Sequence, residues 1–225
     1  MSEQAEQMQA RARKWQGILA GRQRKVLVAV LFPGFELLDL CGPLEMFGSL
    51  RGWIRIVTVA QRKGPVESTQ GPSIVASYDF EDCPRPDLLL VPGGAGTSME
   101  SENEVMLKWL AARAAEAETV MTVCTGSALL ARTGALDGHR ATTNKAAFTR
   151  LAQQAPGVQW VKEARWVDSG KFVTASGVAA GIDMALFVIS RLTDSELSEV
   201  VAAFTEYEWH RNSAWDPFAR IHGLV

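Results

Sequence analysis

Three short apolar runs, each cut off by a tight-turn signal, constrain this chain more than any other feature. Residues 25–31 (KVLVAVL) run into Phe32, Pro33 and Gly34. Residues 88–91 (LLLV) run into Pro92, Gly93 and Gly94, and residues 119–123 (TVMTV) into Cys124, Thr125 and Gly126. Unbroken apolar strands without polar alternation suit a parallel sheet covered on both faces. Helical patterns fall between and after them, over residues 36–48 (despite Pro43), 103–117, 126–133 and 144–153, with a further strand over 54–60. Residues 166–167 and 171–174 flank Asp168, Ser169 and Gly170, a hairpin signal, and helices over 180–192 and 195–209 close the pattern. The alternation predicts an α/β fold: a doubly wound, mostly parallel sheet flanked by helices. Ligand sites in such sheets lie at the carboxyl ends of strands. Neither a repeat nor a linker interrupts residues 25–225, which read as a single domain.

Residues 1–24 read as a helical extension ahead of that domain. Met8, Ala12, Trp15, Ile18 and Leu19 recur near helical spacing, so one face docks on this chain or a partner, unless the segment is a frayed arm. Residues 1–25 carry six basic and two acidic side chains against a whole-chain net charge of −2, so the remainder is net −6. No cationic surplus points to nucleic acid. The N-terminus lacks the apolar run of a secretory signal. The most apolar window, residues 172–190, is broken by Asp183 and by glycines and serines, so no membrane span is expected. Apolar residues at 47% and charged residues at 21% fit a folded globular chain. Three cysteines without a CxxC pair fit neither a disulfide scaffold nor a cysteine-rich zinc site. Free thiols of this kind fit the cytoplasm.

Cys124 is the candidate nucleophile. It stands between a predicted strand and a predicted helix, the setting of a nucleophile elbow, with the small Gly126 two residues on. A helix N-terminus there favours the thiolate, and the Thr125 N–H points toward a developing oxyanion. The competing reading is a small buried cysteine. Gly93 and Gly94 let the backbone approach a ligand, and the Gly94 N–H is a natural second oxyanion donor beside Thr125. For the proton partner, His139, His210 and His222 all sit in contexts that read as turns or helix ends. Asp39 is the other option: its neighbours Leu37, Leu38, Leu40 and Cys41 place it in apolar surroundings, where a carboxyl pKa rises. It reads equally as a cap on the bend before Pro43. Asp183 reads as structural, Cys83 as incidental and Cys41 as a neighbour of the site.

Four segments together resemble the ThiJ/PfpI superfamily: FPGFELLDLCGP (32–43), LLLVPGGAGT (88–97), VCTGSALLARTGALDGHRATT (123–143) and GKFVTASGVAAGIDMAL (170–186). The resemblance implies a flavodoxin-like sandwich similar to the class-I glutamine amidotransferase domain. LDLxGP and VCTGS are most similar to isonitrile hydratases, and they also resemble the sensor domains of AraC-type regulators. The hydratase branch implies a Cys nucleophile, an Asp and the following Thr, here Cys124, Asp39 and Thr125. It also implies a small-molecule substrate, a homodimer, and neither metal nor organic cofactor. Glyoxalase and deglycase branches place Glu where Asp39 stands. Many relatives carry His where this chain has Asn144, and the segment EYEWHRNSAWDPF (206–218) departs from the hydratase pattern. Besides isonitrile hydration, the resemblance leaves open a glyoxalase or deglycase activity and a redox or small-molecule sensor. For a DNA-binding regulator, the 33 residues after Leu192 are few and acidic.

Overall fold

The computed structural model describes residues 3–225, so the first two residues of the predicted extension lie outside the described residues. Helix α1 (Glu3–Ala20) precedes β1 (Lys25–Val30), α2 (Leu37–Gly48) and β2 (Ile54–Val59). A hairpin of β3 (Gly64–Glu67) and β4 (Ser73–Ala76) follows, then β5 (Leu88–Val91), α3 (Thr97–Glu100), α4 (Glu104–Glu116), β6 (Thr119–Thr122) and α5 (Gly126–Arg132). The chain continues through β7 (Arg140–Ala141), α6 (Phe148–Gln154), β8 (Gln159–Trp160), β9 (Trp166–Ser169) and β10 (Phe172–Ala175). Helices α7 (Ala180–Leu192), α8 (Ser195–Phe204) and α9 (Pro217–Ile221) complete it.

The main sheet has the order β2-β1-β5-β6-β10-β9. Its first five strands are parallel and β9 runs antiparallel to β10 at one edge. β5 and β6 are buried at every residue because helices cover both faces: α1, α2, α7 and α8 pack with one another, and α3, α4 and α5 with one another. Chain order reverses between β1 and β5, so the loops leaving those strands diverge to opposite sides and leave a crevice at the carboxyl ends.

Helix α1 docks on its own chain. Trp15 and Leu19 are buried, and Trp15 Nε1 donates to Glu196 on α8. Lys14 and Arg11 pair with the same carboxylate at 2.5 and 3.6 Å. Exposed ion pairs of this kind contribute little, so the two buried apolar side chains hold the helix. Trp15→Ala is therefore expected to free α1 locally and leave the sheet intact. Tryptic cleavage at Arg11 and Arg13 should rise roughly tenfold or more with little change in the domain's unfolding midpoint. Unchanged cleavage would mean that the charges hold the helix.

Two predicted helices end differently. The helix expected over 195–209 stops at Phe204 because Glu206 takes a left-handed φ of 51°. Tyr207 is thereby turned in to meet Asp183. The helix expected over 144–153 starts only at Phe148, because Asn144 and Lys145 are spent on tertiary hydrogen bonds.

Candidate active site

The crevice is built from the loops that leave β1, β5, β6 and β10. After β1 the chain is tied to the β3–β4 hairpin: Thr69 N–H donates to Phe35 O and Gly34 N–H to Glu67 O. Gln70 reaches back from that hairpin, accepting from Leu37 N–H at the start of α2 and donating to Glu36. This fixes the first turn of α2 and with it Asp39, which is completely buried. Asp39 Oδ2 accepts the Gly93 N–H at 2.8 Å. Its Oδ1 has no formed hydrogen bond, and the Cys124 thiol is the hydrogen-bonding side chain that acts on this carboxyl.

Cys124 follows β6 with φ at 56°, a left-handed backbone that a non-glycine residue adopts only where its surroundings impose it. Its own N–H donates to Ser176 O at 2.8 Å, past the end of β10. Gly126 permits the turn, since a Cβ there would lie 2.3 Å from Val91 O and 2.7 Å from Pro92 O. Gly93 serves the same end from the facing loop: a Cβ on it would lie 2.5 Å from Thr125 N. Three donors act on the Cys124 thiol and lower it: the Thr125 N–H, the Asn144 side-chain amide and the Val178 N–H. Val178 also has positive φ, 41°. A helix start, a loop and a second strained turn thus act on one thiol.

The electrostatics differ from the expectation of a ready thiolate. Burial pushes the Cys124 thiol up to about 12, the Asp39 charge adds to the rise, and the three donors only moderate it. Burial likewise raises the Asp39 carboxyl from 3.8 to about 7, opposed by Gly93 N–H and assisted by the Glu36 charge. The two groups share a low-dielectric site that does not hold two negative charges. Near neutral pH they form one unit that holds one proton or two. The helix N-terminus is present, but desolvation outweighs it.

Asp39, Cys124, Thr125, Gly93 and Gly94 are all brought together. The glycines are used otherwise than expected: the Gly94 N–H donates to Thr125 Oγ1 at 3.1 Å and the Gly93 N–H to Asp39, so neither points freely at an oxyanion. Thr125 Oγ1 also meets Thr97 Oγ1 at 2.8 Å, a buried residue with no chemistry-bearing spacing to single it out. None of the three histidines is among the groups acting on Cys124. His139 meets Ser169, and the His210 N–H is bound by Asp183. The sequence marks Asn144 only as the residue standing where many relatives carry His, and nothing in it marks Val178. Cys41 is half-buried on α2, and Cys83 is buried with its sulfur toward Pro84 O. A cavity of about 800 Å³ opens beside Thr125 and Gly94 and extends past Thr97 to Arg132, Arg150 and Trp160; Cys124 is not on its wall. Among the described residues, no group of three or more His, Cys, Asp or Glu could hold a metal ion, and no helix is long and apolar enough to cross a membrane.

Comparison with known proteins agrees with this fold. A model of the DJ-1/PfpI family matches residues 24–191. Isonitrile hydratase from Pseudomonas putida is 38% identical over 178 residues, 79% of this chain and 76% of that protein. The HTH-type transcriptional regulator GbdR from Pseudomonas aeruginosa is 30% identical over 81% of this chain but only 51% of its own length. A solved ThiJ/PfpI family protein from Pseudomonas syringae superposes with a TM-score of 0.77 at 34% identity, covering 83% of this chain and 76% of that one.

Proposed function

The chain belongs to the DJ-1/PfpI family, and on that premise we propose that it hydrates an isonitrile to an N-substituted formamide. The observation that carries the proposal is the buried Asp39–Cys124 pair, a nucleophile and an acid with one shared site and no histidine. Similarity to an isonitrile hydratase supports the substrate class.

Asp39 takes the Cys124 proton as sulfur bonds to the terminal isonitrile carbon, and delivers that proton to the same carbon. The product is a thioimidate, R–N=CH–S–Cys. Asp39, again a carboxylate, removes a proton from water as the water oxygen adds to the imidate carbon, and passes that proton to nitrogen. The remaining hydroxyl proton then moves through Asp39 to the sulfur as the C–S bond breaks, which regenerates the thiol and the carboxylate and releases the formamide. A carboxyl near pH 7 suits this traffic in both directions. The Thr125 N–H, Asn144 amide and Val178 N–H stabilise sulfur whenever it carries charge. Gly93 and Gly94 act by holding Asp39 and Thr125 in place.

Purified protein mixed with alkyl and aryl isonitriles should release the matching formamides. Cys124→Ala should reduce turnover to the uncatalysed rate. Failure of the wild-type protein across the panel would overturn the substrate class, and full activity in Cys124→Ala would overturn the mechanism. Lactate from methylglyoxal, in place of formamide, would identify a glyoxalase.

A further inference from the structure

Residues 205–218 return across the domain as a strap. Tyr207 Oη and the His210 N–H both donate to Asp183 Oδ1 at 3.1 and 2.9 Å. The Arg165 N–H donates to Ser213 O at 2.8 Å. Asp216 then turns inward, almost fully buried. Its Oδ1 accepts the Phe218 N–H at 3.0 Å, but its Oδ2 has no hydrogen bond and lies 4.0 Å from Lys145 Nζ. That ammonium is also buried, donating to Thr142 Oγ1 at 2.8 Å and to Ala164 O at 2.6 Å. The Phe148 ring lies 5.8 Å from it, and Asp216 is the charge that acts on it.

A buried ammonium and carboxylate that do not touch are expensive. Burial lowers Lys145 to about 8 even with Asp216 opposing the fall, and an apolar pair of similar volume would be no less stable. Their position gives the arrangement a use. The residue before Lys145 is Asn144, whose side-chain amide acts on the Cys124 thiol and lowers it. Asn144 Oδ1 accepts the Ala147 N–H at 3.2 Å, which fixes one end of that amide. Thr143 Oγ1 donates to Cys124 O at 3.0 Å. The strap also reaches the Cys124 backbone through Arg165. Arg165 O accepts the Ser176 N–H and Ser176 O accepts the Cys124 N–H, each at 2.8 Å.

We propose that Lys145 and Asp216 are positioning residues, through which the strap sets the Asn144 amide against Cys124 and thereby the reactivity of its sulfur. This rests on Cys124 as the nucleophile but not on isonitrile as the substrate. The strap lies outside residues 24–191, the segment that the family model matches.

The test is the pH profile of Cys124 alkylation by iodoacetamide in the full chain, read by peptide mass so that Cys41 and Cys83 are counted apart. The charged groups in play are Asp39 facing Cys124 and Asp216 facing Lys145. Asn144→Ala should slow alkylation at pH 8 by about tenfold, the worth of one hydrogen bond to a charged sulfur. Asp216→Asn and Lys145→Met should slow it in the same direction, with the profile moved to higher pH. Asp216→Glu, which keeps the charge, should restore most of the rate and also serves if Asp216→Asn does not fold. Asp216→Asn combined with Asn144→Ala should be no slower than Asn144→Ala alone. Rates within twofold of wild type in Asp216→Asn and Lys145→Met, or fully additive losses in the combination, would overturn the proposal. A strap effect on alkylation in a protein that makes no formamide would support this inference and sink the hydratase reading.

Discussion

Asp39→Asn is expected to cut isonitrile hydration by about 10²–10⁴-fold, the usual worth of a positioned acid–base group, while making the protein more stable at alkaline pH. The two effects share one cause. Asp39 is fully buried, and its carboxyl is raised from 3.8 to about 7. Between those values the folded state keeps a proton that the unfolded chain has released, so folding stability falls as pH rises through that window. Asparagine has the same shape, still accepts the Gly93 N–H, and does not titrate. The gap should therefore close toward pH 4 and open above pH 7 to at most about 4 kcal/mol in favour of the variant. Denaturant unfolding at pH 4.5 and pH 8 measures it. A constant gap would mean that Asp39 is not held protonated by the fold. Turnover within threefold of wild type would remove it from the proton path.

The fold was legible where local pattern and burial agree. β1, β5 and β6 are buried on both faces, and their runs are continuously apolar for that reason. The β3–β4 hairpin was not legible: a strand such as Ser73–Ala76 is half-exposed, and Gly64 and Pro65 give no strand signal. In the site, Cys124, Thr125 and Asp39 could be singled out because each sits at a turn or in an apolar run. Asn144 reads from sequence as the start of a helix, and its part in the site depends on Lys145 being buried by a strap some 70 residues later. Val178 is ordinary as a residue type and unusual only in its φ. The direction of the Cys124 shift was also out of reach. A helix N-terminus is visible in sequence, whereas desolvation depends on what closes over the sulfur.

Asp183→Ala is expected to cost about 3–5 kcal/mol, a large part of the roughly 5–15 kcal/mol that holds a domain of this kind. Asp183 is fully buried on α7, with Arg165 Nε and Nη2 each 2.6 Å from Oδ2 and the strap's Tyr207 and His210 on Oδ1. Removing the carboxylate strands a guanidinium whose side chain is only 10% exposed, together with a hydroxyl and an N–H. The pair itself is not a source of great stability, because burial pushes the Asp183 carboxyl up even with Arg165 beside it. The two facts predict a specific asymmetry. Asp183→Ala alone should shift the guanidinium chloride midpoint strongly, whereas Asp183→Leu with Arg165→Met should recover most of the loss. That double variant still lacks the peg for Tyr207 and His210, so a recovered midpoint should come with faster proteolysis between residues 205 and 216. A single variant that loses less than about 1 kcal/mol would show that the strap, not the ion pair, already satisfies Arg165. A double variant no better than the single would show that Asp183 contributes through its four hydrogen bonds and not through its charge.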